Sequence, residues 1–258
     1  MNNESKIVLI TGAAKRLGRA IGLEMAKNGW DVAIHFGTSV DAAAQTVKDI
    51  QALGRRAISI QADLEVESEV TEIIKTCEAK LGVPRCLVNN ASLFRYDLAS
   101  SFNYASLEAH MKTNLAAPMV LARELYRVRK NLPVEAGLGV VINLLDQKLE
   151  NLNPDFISYT LSKAALASAT TMLAQAFAPQ IRVVGVAPGI TLVSGDQSDS
   201  SFEKAHAMTP LGKSSTPDDV AKAVVYLSQA SAVTGTTLYV DGGQHLKPSE
   251  RDVMFLTK

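Results

Sequence analysis

Cysteine is scarce in this chain, and neither sign of charge is in excess. Only Cys77 and Cys86 are present, which argues against a disulfide-stabilised secreted protein and suits a reducing compartment. The 26 basic residues balance 26 acidic ones, so the net charge favours neither a nucleic acid nor an anionic membrane as the main partner. The four histidines are scattered without metal-ligand spacing, so no metal site is predicted.

Long apolar runs are also missing. The longest apolar segments are far shorter than the roughly 20 residues that a membrane span needs. The leader Met1–Lys6 lacks the apolar core of a signal peptide. With 258 residues, 47% of them hydrophobic, the chain can nevertheless bury a substantial core. We therefore expect a soluble, cytoplasmic protein.

What is present is a regular alternation of apolar strands and amphipathic helices. Strands are predicted at Lys6–Ile10, Asp31–Phe36, Ala57–Gln61, Arg85–Val88, Val140–Leu145, Ile181–Val186 and Thr236–Val240. Helices are predicted at Leu17–Asn28, Val40–Leu53, Val66–Leu81, Ser106–Asn131 (irregular near Pro118), Phe156–Ala178 and Pro217–Gln229. Strands that are apolar throughout indicate a parallel sheet covered on both faces. Because no linker divides the chain, we predict one doubly wound α/β domain of about seven strands.

Ligands of such sheets bind beyond the carboxyl ends of the strands. Polar or conformationally special residues follow directly on five predicted strands: Gly12, Asp63, Asn89, Asp146 and Pro188. Since parallel strands end at the same edge, we expect these residues to share one rim. The sequence therefore predicts a single site there.

The turn after the first strand, TGAAKRLG, opens a helix and could present backbone N–H groups to a pyrophosphate. Gly12 would permit the tight turn, and Gly18 a close approach of the helix. The middle glycine of the dinucleotide fingerprint is missing, and Lys15 and Arg16 stand in this region instead. Nucleotide binding is the favoured interpretation, and a solvated loop is the alternative.

The end of the second strand bears on the choice of nicotinamide cofactor. It carries Phe36, Gly37, Thr38 and Ser39, with no acid to bind a ribose 2′-hydroxyl or repel a 2′-phosphate. Lys15 or Arg16 could pair with that phosphate, helped by a Thr38 or Ser39 hydroxyl. The pattern favours NADPH, although the usual arginine after this strand is missing.

Tyr159 and Lys163 are four residues apart and lie on one face of a predicted helix. An ammonium beside a phenol would lower the tyrosine pKa and produce a proton donor usable near neutral pH. By itself this pair is more often an ordinary helix face.

The order of TGAAKRLG, Asp63, the Asn89–Ala91 turn, Asn114, Tyr159-x-x-x-Lys163 and Pro188–Gly189 resembles the short-chain dehydrogenase/reductase family over nearly the whole chain. The resemblance implies a Rossmann-type domain over residues 1–258, and Tyr159 as catalytic acid with Lys163 and Asn114 beside it. It implies cofactor contacts for Gly12, Lys15, Arg16, Leu17, Gly18, His35, Phe36, Thr38, Ser39, Asp63, Leu64, Asn90, Ala91, Lys163, Pro188, Gly189 and Thr191.

One departure narrows the resemblance. The family usually has a serine at the end of the fifth strand, where this chain has Asp146. Unpaired buried carboxylates are costly, so Asp146 is expected to be exposed or directed at a ligand, and it suits a substrate with N–H donors. Within the family, the pteridine reductases resemble this chain in Arg16, Asp146 and Phe94. That resemblance implies a pterin stacked on Phe94 and contacted by Arg16, Ser92, Asp146 and Tyr159.

Three functions remain open at this stage. The leading one is an NADPH-dependent reductase of a dihydropterin or dihydrofolate; the second is a carbonyl reductase of an oxoacyl, sugar or other ketone substrate. A non-catalytic nucleotide sensor is third, and the intact Tyr159 and Lys163 argue against it.

Residues 190–216 are expected to form a substrate loop with a short helix around Phe202–Met208. The resemblance implies a homotetramer, and the apolar tail Met254–Leu256 is expected to be buried, with a subunit contact as one option.

Overall fold

The structure, a computed structural model, describes residues 6–133, 137–193 and 199–256. Seven parallel strands form one sheet in the order β3-β2-β1-β4-β5-β6-β7. The strands are β1 Ile7–Ile10, β2 Asp31–Phe36, β3 Ala57–Gln61, β4 Cys86–Asn89, β5 Gly139–Leu144, β6 Ile181–Pro188 and β7 Thr237–Val240. The predicted doubly wound α/β sheet is confirmed.

Helices cover both faces of this sheet. They are α1 Arg16–Lys27, α2 Val40–Ala52, α3 Glu67–Lys80, α4 Tyr104–Met111, α5 Ala117–Arg129, α6 Ile157–Ala176, α7 Asp199–Ala207 and α8 Pro217–Gln229. Side chains of β1 alternate between two cores: Val8 packs with residues of α1, α2 and α8, and Leu9 packs with residues of α3 and α5. This two-residue period is the reason why both faces of a strand must be apolar.

The predicted helix Ser106–Asn131 is not continuous. A π-helical turn, Lys112–Ala116, separates α4 from α5. Pro118 lies in the first turn of α5, directly after this π-helical turn. The irregularity therefore precedes the proline and carries Asn114, which is fully buried. Such turns occur often at functional sites.

The strand order creates a crevice between β1 and β4. The connection from β1 runs to β2 on one side of the sheet, and β4 lies on the other side of β1. At this reversal a gap opens beyond the carboxyl ends of the strands, where ligands of doubly wound sheets bind. The predicted rim residues Gly12, Asn89 and Asp146 follow or end β1, β4 and β5 at this edge.

Parts of two predicted segments lie outside the described residues. They are the leader residues 1–5 and residues 194–198 of the predicted substrate loop. The described part of that loop contains α7, which begins and ends slightly earlier than the predicted Phe202–Met208.

Cys77 and Cys86 are unpaired and buried, and burial raises the pKa of each thiol to about 12. Within the described ranges, no helix is both long and apolar enough to cross a bilayer. The same ranges contain no group of three or more His, Cys, Asp or Glu side chains placed to hold a metal ion.

Candidate active site

The glycine turn after β1 has the geometry that its sequence predicts. Gly12 has a φ angle of +62°, in the left-handed region that favours glycine. A Cβ atom on Gly18 would lie 2.5 Å from Nδ2 of Asn90 and 2.5 Å from the carbonyl oxygen of Gly12. Only a glycine therefore allows α1 to begin this close to the turn after β4.

The turn after β4 is tied to the glycine turn by hydrogen bonds. The Asn90 side chain donates to the carbonyl oxygens of Thr11 (2.8 Å) and Gly12 (3.2 Å), and the Thr11 hydroxyl accepts from the N–H groups of Asn90 and Ala91. The side chain of Asn90 thus holds the walls of the crevice together. This places the predicted cofactor residue Asn90 in a supporting position beside the crevice.

His35 supports the same turn from β2. Its Nδ1 accepts a hydrogen bond from the Gly12 N–H group (3.2 Å), so the ring proton lies on Nε2, which contacts the Ala62 carbonyl oxygen at 3.0 Å. Burial lowers the pKa of His35, which keeps the ring neutral as this arrangement requires. His35 therefore fixes the position of the Gly12 N–H group.

A cleft of about 830 Å³ crosses the carboxyl edge of the sheet at this crevice. The predicted cofactor residues that line it are Gly12, His35, Thr38, Asp63, Leu64 and Ala91. The volume of the cleft and its place beyond the carboxyl ends of β1 and β4 fit a dinucleotide.

Three predicted cofactor residues are placed differently. The Phe36 side chain is buried in the core, because all six residues of β2 are covered by helices on one face or the other. Lys15 and Ser39 precede α1 and α2 as N-cap residues, and neither side chain makes a capping hydrogen bond. Lys15 is exposed and lines neither the cleft nor the neighbouring cavity.

A second cavity of about 300 Å³ adjoins the cleft, and Ser92 lines both. All five residues predicted to bind the substrate line it: Arg16, Ser92, Phe94, Asp146 and Tyr159. Four residues predicted for the cofactor also belong here: Leu17, Pro188, Gly189 and Thr191. We call this cavity the substrate pocket.

Arg16 belongs to the substrate pocket and not to the cleft beside Thr38. Its φ angle of +52° is unusual for a residue other than glycine, and its guanidinium donates to the carbonyl oxygen of Val193 (2.8 Å). Arg16 thus holds the start of the predicted substrate loop. The predicted pairing of Arg16 with a 2′-phosphate beside Thr38 is not supported by this placement.

Tyr159 donates a hydrogen bond of 2.7 Å from its hydroxyl group to Oδ2 of Asp146. Burial raises the pKa of Tyr159 well above its ordinary value, and the charge and hydrogen bond of Asp146 raise it further. This corrects the sequence-based expectation that Lys163 lowers the tyrosine pKa. The carboxylate next to the phenol outweighs the ammonium, and Tyr159 is held in its protonated form.

Lys163 is buried behind the tyrosine. Its ammonium lies 5.8 Å from the centre of the Tyr159 ring and donates to the carbonyl oxygen of Leu144 (2.7 Å). Burial lowers the pKa of Lys163 to about 8, although the charge of Asp146 opposes this shift.

Asn114 connects the helices around this centre. Its side chain donates to the Leu93 carbonyl oxygen (2.9 Å) and to the Ser162 hydroxyl (3.0 Å), and it accepts from the Leu93 N–H group (2.7 Å). These bonds fix the chain before Phe94 and the helix that carries Tyr159. Asn114 therefore positions the site in this structure through its neighbours.

Phe94 presents an aromatic surface in the pocket and is 41% exposed, so a flat ligand can reach it. Its ring stacks on Phe156 with centroids 4.2 Å apart and makes a T-shaped contact with Tyr159 at a centroid distance of 4.7 Å. Phe156 has a φ angle of +55°, strained for a bulky residue. The ring that could stack on a substrate is thus held in place from behind.

The sequence-based prediction missed the C-terminal segment of the site, together with Gln147 and Gln244. Asp252, Val253 and Met254 line the substrate pocket. The expected burial of the apolar tail is not observed: Met254 and Phe255 are half-buried and Leu256 is 46% exposed. The aromatic contacts of Phe255 are with Phe156 and Tyr96 of the same chain. The local sequence of the tail could not predict these contacts, because its partners are distant in the chain.

Comparisons with known proteins identify the family of this chain. The family model described as enoyl-(acyl carrier protein) reductase, one of the short-chain dehydrogenase/reductase models, matches residues 12–245. The crystal structure of FolM alternative dihydrofolate reductase 1 from Brucella canis, complexed with NADP, superposes with a TM-score of 0.86 and is 40% identical, covering 94% of this chain and 95% of that one. The Brucella suis protein, also in complex with NADP, gives a TM-score of 0.85 and 40% identity, with 94% and 96% of the chains covered.

More distant relatives carry a different description. The 3-oxoacyl-(acyl-carrier-protein) reductase FabG of Staphylococcus epidermidis is 29% identical over 249 residues, covering 94% of this chain and 100% of that protein. An uncharacterized oxidoreductase of Mycobacterium tuberculosis is 34% identical over 260 residues, covering 93% and 92%. The matched motifs, the sheet order and these relatives lead to one conclusion: the chain belongs to the short-chain dehydrogenase/reductase family.

Proposed function

We propose that this protein is an NADPH-dependent reductase that transfers hydride to a pteridine of the dihydropterin or dihydrofolate type. The observation that carries the proposal is the hydrogen-bonded pair of Tyr159 and Asp146 (2.7 Å) in a pocket that also contains Phe94 and Arg16. The similarity to FolM structures complexed with NADP supports it.

The pocket suits a flat ring with polar edges. A pteridine stacked on the exposed face of Phe94 would have its motion restricted to the plane of the ring, which favours a reactive orientation. Arg16 and Ser92 supply N–H and O–H donors for ring oxygen and nitrogen atoms. Asp146 supplies acceptors for ring N–H groups, which a simple ketone lacks.

NADPH, when bound, supplies the hydride to the carbon of a ring C=N bond. The nitrogen of that bond must then receive a proton. Tyr159 holds one at neutral pH because its pKa is raised by burial and by Asp146. The hydrogen bond between them allows Asp146 to orient the hydroxyl group, and Lys163 offers a positive charge near the phenolate that remains.

Replacing Asp146 with serine tests the substrate class. D146S restores the hydroxyl group that the family usually has, so we expect kcat/KM for a dihydropterin to fall by about 100-fold. Reduction of an acetoacetyl thioester should stay equal or rise. The measurement is NADPH oxidation with dihydropterins, dihydrofolate and a ketone panel, and full pterin activity in D146S would contradict the role of Asp146.

A carbonyl reductase of oxoacyl thioesters is the second candidate. The FabG relatives and the description of the family model favour it. Against it stands Asp146, which puts an acceptor where a substrate carbonyl oxygen needs a donor. The same assay separates the two, since turnover of ketones without turnover of pterins would replace the leading proposal by this one.

The cofactor preference rests on the end of β2. Thr38 is exposed and lines the cleft, and no acidic residue stands in the turn from Gly37 to Ser39. We expect T38D to place a carboxylate that repels a 2′-phosphate and accepts from a 2′-hydroxyl, and to shift the NADPH-to-NADH ratio of kcat/KM toward NADH by at least about 10-fold. Steady-state assays with both cofactors measure this, with T113S, a mild change in the same cleft, as control.

A further inference from the structure

The C-terminal segment, defined here as residues 251–256, forms a wall of the substrate pocket. Asp252, Val253 and Met254 line the pocket together with Asp146 and Tyr159. Family resemblance assigns no function to this segment in the chain. These three residues line the same pocket as all five predicted substrate-binding residues.

A buried carboxylate anchors this wall. The Arg251 guanidinium donates two hydrogen bonds of 2.8 Å to Asp155, and the Asp252 N–H group donates a third of 2.7 Å. Asp155 is fully buried and directly precedes Phe156, on which Phe255 stacks. The bidentate contact fixes both the position and the orientation of the segment. These hydrogen bonds therefore hold the C-terminal segment in a defined position at the pocket.

The carboxylate of Asp252 keeps acceptor capacity in this position. One oxygen accepts from the Met254 N–H group at 3.2 Å, and the other lies 3.7 Å from the Lys148 ammonium. That ammonium makes its short hydrogen bond, 2.5 Å, to the carbonyl oxygen of Asp155 instead. A carboxylate has about four lone-pair positions, so two contacts, one of them long, leave room for donors from a ligand.

We propose that Asp252 is a specificity-determining residue, which accepts N–H donors from the 2-aminopyrimidine edge of the pteridine substrate. The assignment rests on the proposed function and extends it to recognition of the pyrimidine ring of the substrate. Asp146 then serves the reacting nitrogen through Tyr159, and Asp252 recognises the 2-amino group. A 2-oxo analogue would bring carbonyl lone pairs against this carboxylate, which is repulsive.

A pair of substrates that differ at this edge of the ring tests the assignment. Dihydropterin carries a 2-amino group, and dihydrolumazine carries an oxygen there. Because a site built to bind a donor rejects an analogue that lacks it, we expect the wild type to prefer dihydropterin by at least about 100-fold in kcat/KM. D252N, nearly the same shape, should lose about 10-fold or more for dihydropterin, mainly through KM, and should gain for dihydrolumazine.

The control variant is E250Q. Glu250 is exposed and two residues away in the same tail, so E250Q removes the same charge without entering the pocket, and its substrate preference should equal that of the wild type. Equal NADPH affinity and thermal midpoint in the wild type and D252N verify that the variant is folded. Retained dihydrolumazine turnover provides a second check of the fold.

Two results would overturn the inference, and they are distinguishable. If the wild type reduces dihydropterin and D252N keeps the full preference over dihydrolumazine, Asp252 has only a structural role and the proposed function stands. If the wild type reduces ketones and neither pteridine, the proposed function fails together with the inference.

Discussion

Tyr159 shows how neighbouring groups compete for control of one hydroxyl group. Asp146 contacts that hydroxyl directly at 2.7 Å, whereas the Lys163 ammonium lies 5.8 Å from the ring centre and bonds to a backbone carbonyl. The shorter contact, together with burial, sets the direction of the pKa shift. In a family member with serine in place of Asp146, that negative charge would be missing. Asp146 thus makes the tyrosine a weaker acid than burial alone would.

Lys163 gives a prediction for the pH dependence of stability. Its pKa is lowered to about 8 in the folded chain, so between pH 8 and its unfolded value the unfolded state binds more protons. The free energy of unfolding therefore gains a contribution that rises with pH in this window. Relative to K163M, the wild type should gain about 2 kcal/mol from pH 8 to pH 10.

Urea unfolding of both proteins without cofactor, at pH 8 and at pH 10, measures this difference. K130M removes an exposed lysine and serves as the control for loss of one positive charge. A constant gap between wild type and K163M across the window would mean that Lys163 keeps its ordinary titration in the folded chain.

Among the elements, α8 shows how a helix start supports the site at a distance. Thr216 and Asp219 form a capping box, in which each side chain accepts from the backbone N–H group of the other. Apolar residues of α8 share a core cluster with those of α1, the helix that follows the glycine turn. By stabilising the start of α8, the cap therefore also stabilises the packing of α8 against α1.

Removing this cap should cost stability. T216A leaves the Asp219 N–H group without its partner, and we expect the free energy of unfolding to fall by about 1 kcal/mol. The thermal midpoint should fall by roughly 2–4 °C, as calorimetry can show. Ser39 is an N-cap residue without a capping hydrogen bond, so S39A should change the midpoint much less. Equal losses in the two variants would refute the role of the cap.

At the scale of the whole molecule, the helices α5 and α6 carry exposed apolar side chains that the fold does not cover. Met119 is 40% exposed, Leu161 51% and Met172 67%. The resemblance to the short-chain reductases implies a homotetramer with its interface on these helices. This assembly and a cytoplasmic location stay predictions.

A charge on this surface tests the assembly. M172K places an ammonium where the interface is expected, and since desolvating an unpaired charge is costly, the tetramer should dissociate to a smaller species. Light scattering coupled to size exclusion measures the mass. L211K alters an even more exposed apolar residue, 74% exposed and outside α5 and α6, and should leave the tetramer intact. A monomeric wild type would rule out the prediction.

The sequence by itself determined the sheet, its helices and the rim that carries the site. Apolar strands and amphipathic helices are local patterns, and the residue after each strand is readable from the chain, so Gly12, Asp146 and Tyr159 were placed without coordinates. Arg16, Phe94 and Asp146 also led to the proposed substrate class through their resemblance to the pteridine reductases.

Only the tertiary structure decided how these residues act on one another. The direction of the Tyr159 pKa shift depends on which charge is nearer, and spacing along a helix does not contain that distance. The contact of Asp252 with the pocket joins positions about a hundred residues apart through the buried Asp155. Such contacts depend on three-dimensional packing. A local sequence pattern specifies which face of a helix or strand is buried, but it does not specify which other element packs against that face.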